Sequence, residues 1–192
     1  MRERPRRRRV AHRVGTVLGG LATLKVYRMT PEQAITLVEY NTWANHRILL
    51  KAARLPWERL NADAPLSYHS LLASLVHILD TQWYWREGAQ SGRLPSKPLS
   101  PSDFVNFTSL KKRWELEDQQ LSLFIGKLSP SALYGSVTYS WPQARPRSKP
   151  LWHILMHIIN HGTHHRSEIG QYLASINLSP GDLDFIIFVS RK

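Results

Sequence analysis

The sequence predicts an all-α fold, a bundle of four helices with a short hairpin or loop between the third and the fourth. Three observations predict it. Four stretches carry apolar residues at helical spacing, and the connections between them are rich in proline and glycine. In the third stretch Phe107, Trp114, Leu121 and Leu128 recur every seven residues, the seam of a bundle. A chain of 192 residues can bury one sizeable core and not two.

The first helix opens at Thr30, a capping residue followed by Pro31 in the first helical position and by Gln33 three residues after the cap. Leu37, Tyr40, Ala44 and Ile48 follow on one face, and the helix should end near Arg54, before Pro56. A loop containing Pro65 leads to a second helix from about Ser67 to Glu87, stopped by Gly88, with a broad apolar arc from Leu71 to Leu79. Ser91 to Pro101 contains three prolines and reads as a loop. The third helix spans about Ser102 to Leu128. Val137 to Ser140 favours a short strand, and prolines 142, 146 and 150 rule out helix there. The fourth helix runs from Leu151 to about Ile176. Pro180-Gly181 then turns the chain into a short apolar tail, Leu183 to Val189.

Cysteine is absent, which removes disulfides, thiolate-bound metal and any cysteine nucleophile. A metal site must then be built from imidazole and carboxylate. The net charge of +12 is concentrated at one end: residues 1–28 hold nine Lys and Arg against Glu3, a net of +8. This leader has Arg6 to Arg9 ahead of a weakly apolar stretch, Val14 to Leu24, and resembles the charged and apolar regions of a secretory signal. It ends at Lys25 without a small-residue cleavage site, and its apolar part is too short to span a bilayer. The two readings that fit best are a disordered basic arm and a start codon placed upstream of true translation at Met29. A tether to nucleic acid or anionic membrane, and an export signal, fit less well. The domain proper is 29–192. It shows no basic helix or aromatic–basic platform, so no nucleic-acid-binding residues are assigned within it.

Five of the nine histidines fall between 153 and 165: His153, His157, His161, His164 and His165. With about 100° per residue, His161 and His165 project side by side, close enough to share one ion. Glu168 shares their face and can serve as a fourth ligand, as a partner orienting an imidazole, or as a base. Gly162 stands where zinc proteases need glutamate, which disfavours peptidase chemistry. His77 is a third candidate, on the second helix among Ser70, Ala73, Ser74, Thr81 and Tyr84, small neighbours for the most part that leave room for an ion. The competing reading makes this the polar face of an amphipathic helix, and the His pair structural. Periodicity does not decide between them.

Asn160-His161-Gly162-Thr163-His164-His165-Arg166 resembles the most recognisable motif of the DinB/YfiT-like metalloenzyme family. Tyr40-Asn41-Thr42-Trp43-Ala44-Asn45, Leu75-Val76-His77-Ile78 and Ser179 to Asp184 extend the resemblance over about Met29 to Val189. It implies an antiparallel four-helix bundle holding one divalent cation through His77, His161 and His165; imidazole suits zinc, nickel, copper and iron alike, with zinc or nickel favoured here. His157 and His164 are not ligands in that pattern: His157 is placed as a packing residue or one that supports a ligand from behind, and His164 as a hydrogen-bonding residue. One departure stands out: the family's Arg-Gly-Gln is here Arg166-Ser167-Glu168, which puts an added anion beside the metal.

Members with assigned activities resemble thiol transferases. The resemblance therefore implies a cytoplasmic, homodimeric, metal-dependent low-molecular-weight thiol S-transferase, or a related hydrolase, in stress response or detoxification. Its partners would be a small thiol and an electrophilic small molecule, with no membrane, and Glu168 would be the candidate catalytic residue. The alternative is a non-catalytic metal-binding stress protein.

Overall fold

In the computed structural model, residues 28–141 and 144–191 are described. The expectations for the 1–28 leader, Arg28 apart, and for Pro142 lie outside those residues. Four long helices dominate: α1 (Pro31–Ala52), α3 (Leu71–Ser91), α4 (Phe107–Gly126) and α6 (Leu151–Ser175). Three one-turn helices accompany them, α2 (Trp57–Asn61), α5 (Pro130–Tyr134) and α7 (Phe185–Val189). One antiparallel hairpin joins β1 (Ser136–Tyr139) to β2 (Arg147–Pro150), with Val137 opposite Lys149. None of the described helices is long and apolar enough to cross a membrane.

Thr30 forms the predicted capping box. Its hydroxyl accepts from the Gln33 N–H at 3.3 Å, and the Gln33 side chain accepts from the Thr30 N–H at 2.9 Å. The second long helix departs from its predicted bounds at both ends. It starts at Leu71 because Ser70 caps it, accepting from the Ala73 N–H at 3.0 Å, while His69 ahead of it sits at φ 60°. It runs past Gly88, whose missing side chain leaves space for Leu94, and stops at Gly92 in the left-handed conformation. The third begins five residues later than predicted, because Pro101–Asp103 closes into a separate 3-10 turn and Asn106 caps α4. The one-turn helices α2, α5 and α7 were not expected, since five residues carry too little periodicity to show.

Each long helix packs on two others, α6 on α1 and α3, and α4 on α1 and α3. Two apolar clusters lie at opposite ends of the bundle. One joins the end of α1 (Ile48, Ala52), the start of α3 (Leu71, Leu75), the start of α4 (Leu110, Trp114) and the end of α6 (Ile169, Leu173). The other joins the start of α1 (Ala34, Val38), the end of α4 (Leu121, Ile125) and the start of α6 (Ile154, Ile158). The pairs α1–α4 and α3–α6 are therefore antiparallel, as expected for this bundle. The pairs α3–α4 and α1–α6 run the same way, because residues 92–106 carry the chain back along α3, where the Leu99 N–H donates to Asp80. The chain thus goes up, down, down and up.

A polar belt separates the clusters. Arg166 donates to Asn41 Oδ1 at 2.6 Å and to Asn45 Oδ1 at 2.8 Å. Asn41 donates to Gln82 at 2.8 Å, and Gln82 to Asp118 at 2.8 Å. Beside them Arg86 grips Glu117 through two bonds, at 2.6 and 2.7 Å. Burial pushes the Asp118 carboxyl up to about 7, despite the bond from Gln82.

Candidate metal centre

Because α3 and α6 are antiparallel neighbours, His77 faces His161 and His165 across their interface. The three ring centroids form a nearly equilateral triangle with sides of 4.7, 4.8 and 4.6 Å. One nitrogen from each ring lies within 4.8 Å of the other two, and His77 Nε2 is 2.9 Å from His161 Nε2. Among the described residues this is the group with metal-binding geometry.

The electrostatics suit ligation, which requires neutral imidazole. Burial, with neighbouring His165, lowers His77 to about 4; burial and the surrounding histidines lower His161 to about 3. His165 is also lowered, burial outweighing the opposing pull of Glu168. His161 Nδ1 is buried without a partner, so this ring's polar engagement is all through Nε2, toward the centre. Three convergent neutral nitrogens suit zinc, nickel, copper and iron alike.

The shifts carry a sign. An unfolded histidine takes up a proton near 6.5, whereas these folded ones resist it to about 4 and about 3. The unfolded chain therefore binds more protons across that window, and metal-free protein should lose stability as pH falls from 6.5 toward 4. Melting temperatures of metal-free protein at pH 7.5, 6 and 5 test this. A flat series would contradict it.

Glu168 sits one turn beyond His165, with Oε2 3.5 Å from His165 Nδ1. Its other oxygen accepts from the Ser67 N–H at 2.5 Å and the Ser67 hydroxyl at 2.7 Å. Burial raises its pKa, but the Ser67 bonds and His165 outweigh that and hold the carboxyl below its ordinary value. His157 lies 5.5 Å from His161, ring to ring, and 5.3 Å from Trp85. His164 is exposed, with its ring 4.9 Å from His165. His153 is exposed and packs against Trp152.

Two residues here escaped sequence reasoning. Tyr68 stacks on His77 with centroids 4.0 Å apart and planes 24° apart, its hydroxyl 2.8 Å from His77 Nε2. Ser67 anchors Glu168. Both lie in the turn before α3, where no periodicity points to a site. The small residues near His77 have other duties as well: Ser70 caps α3, and the Ser74 hydroxyl donates to the Ser70 carbonyl at 2.9 Å. What covers His77 is Tyr68.

The motif residues around the three histidines hold the helices together. Arg166, next to His165, reaches back to Thr163 at 2.9 Å and across to Asn41 and Asn45 on α1. Gly162 makes this possible, since a Cβ there would lie 2.6 Å from Arg166 Nη1 and 3.1 Å from Asn41 Oδ1. Gly162→Ala should cost about 1–3 kcal/mol as an overpacked site. Denaturant titration measures it, and an unchanged midpoint would mean that the guanidinium moves aside freely.

A family model described as DinB family matches residues 29–188. A comparison with curated proteins finds no match.

Proposed function

The chain belongs to the DinB family, and on that premise we propose that it is a metal-dependent low-molecular-weight thiol S-transferase. His77, His161 and His165 would hold the cation. The observation that supports this best is the convergence of three neutral imidazoles within 4.8 Å in a protein that has no cysteine of its own. A divalent cation on such a set lowers the pKa of a bound thiol, so that thiolate is available near neutral pH.

The chain's residues set the stage for that chemistry. His77 and His161 stay unprotonated well below neutral pH. Glu168, anchored by Ser67, keeps its second oxygen toward His165 Nδ1, which favours a proton there and leaves Nε2 as the ligand atom. With its pKa lowered, Glu168 is a weak base and acts as an orienting residue. Glu168→Gln should retain the metal with affinity reduced about tenfold. At saturating metal it should then turn over normally. Collapse of turnover at full occupancy would instead make Glu168 the base.

The nucleophile is a small thiol from solution, and the acceptor an electrophilic small molecule. Hydrolysis by bound water is the related reaction. This reading carries with it a cytoplasmic homodimer in detoxification or stress response. Tyr68, stacked over His77, favours a second reading, a non-catalytic metal-binding stress protein whose site it covers. Conjugation assays with bacillithiol, mycothiol, glutathione and coenzyme A against a chloronitrobenzene separate the two. Background rates with every thiol, in metal-replete protein, would favour the second.

A further inference from the structure

Beside the histidine triangle lies a chamber of about 300 Å³, lined by Trp85, Tyr139, Trp141, Lys149, His153 and His157. Resting on the thiol-transfer reading, we propose that this chamber is the subsite for the electrophile, and that it takes a flat aromatic molecule carrying a negative charge.

The chamber adjoins the histidine triangle through one shared wall. The His157 ring bridges the two, 5.5 Å from His161 on one side and 5.3 Å from Trp85 on the other. The hairpin supplies the far wall, bringing Tyr139 from β1, Trp141 from just beyond it and Lys149 from β2 over the α3–α6 interface.

Shape selects an aromatic ring. Trp85, Tyr139 and Trp141 are mutually perpendicular, at 85°, 88° and 86°, with centroids 5.0 to 6.1 Å apart. This edge-to-face packing fixes the three rings as one aromatic wall, against which a further ring can stack or stand edge-on, the two geometries that aromatic pairs prefer. The volume is at the bottom of the range for ligand pockets, which suits one substituted ring rather than a larger ligand.

Charge selects an anion. An aromatic chamber alone would equally suit a quaternary ammonium. Here, however, Lys149 lines the cavity and the Arg147 guanidinium lies 5.4 Å over the Trp141 ring. No carboxylate lines the chamber, and neither cation forms an ion pair among the described residues. Two uncompensated cations disfavour a cationic guest and favour a carboxylate or sulfonate on the ring. In the transfer, the sulfur–carbon bond forms at the ring carbon bearing the leaving group. That carbon's bond to halide breaks, the halide departs with the electron pair, and the thiol proton passes to solvent.

Calorimetry on metal-replete, full-length protein without thiol tests the subsite, with unreactive 4-nitrobenzoate as probe and nitrobenzene as its neutral counterpart. One 4-nitrobenzoate should bind per chain, more tightly than nitrobenzene. Trp141→Ala should weaken both. Lys149 is exposed and unpaired, so Lys149→Glu should fold normally. It should weaken 4-nitrobenzoate about tenfold, a change of about 1.4 kcal/mol, and leave nitrobenzene unchanged. No binding, tighter binding of nitrobenzene, or the same 4-nitrobenzoate affinity in Lys149→Glu would overturn the proposal. Because no thiol is present, binding without conjugation activity would overturn the transfer reading and leave the aromatic-anion site standing. Conjugation without binding would overturn the subsite alone.

Discussion

Alanine at both His161 and His165 is expected to take the protein from about one divalent ion per chain to none. The two side chains supply two of the three nitrogens that converge within 4.8 Å. They are neighbours on one face of α6, so their removal leaves His77 facing an empty wall. A single imidazole on a half-exposed surface has no chelate partner, and its affinity falls to that of free imidazole. The same variant should lose the metal-dependent part of its stability, about 2.7 kcal/mol when free metal is a hundred times Kd. His153→Ala is the control, because that ring is exposed and packs on Trp152 away from the triangle. Metal analysis after desalting, with melting curves with and without metal, decides the matter. Full occupancy in the double variant would mean that the ion is held elsewhere.

Arg86→Ala is expected to destabilise the fold most among single changes away from the cluster, by about 3–5 kcal/mol. Glu117 is completely buried, and Arg86 holds both its oxygens, at 2.6 and 2.7 Å. Truncating Arg86 leaves a carboxylate inside the bundle with only Arg113, 3.6 Å away, as counter-charge. Such a group must stay charged at high desolvation cost or take up a proton. Replacing both partners, Arg86→Met with Glu117→Leu, should recover most of the loss, since neither charge then remains to be desolvated. Denaturant midpoints of the single and double variants measure this. A single variant within about 0.5 kcal/mol of the parent, the usual scatter of surface changes, would show that water reaches Glu117.

The long helices were legible because burial imposes a period that the sequence repeats. The Thr30 box and the Leu151 start were legible because caps and prolines act locally. The start of α3 was not, because Ser67 and Ser70 are equally good caps by type. The choice between them is made by Glu168, about a hundred residues away, which takes both donors of Ser67. Chain direction was half-hidden for a similar reason. Nothing local says that residues 92–106 return along α3 rather than turn at its end. At the cluster, the i, i+4 spacing of His161 and His165 was visible, while Tyr68 and the aromatic chamber depend on a turn and a hairpin that only tertiary contacts place.

The polar belt works as an alignment key for the bundle. Leucine and isoleucine seams tolerate a helix sliding by one turn, about 5.4 Å, because one apolar side chain can replace another in the same groove. Arg166, Gln82 and Glu117 tolerate no such slide, since each would enter an apolar layer with its partners left behind. A slip of that size between α3 and α6 would also exceed the 4.8 Å that spans the histidine nitrogens. The belt thus acts as the gauge that spaces the three histidines, so that an ion binding there would meet a finished socket instead of having to assemble one.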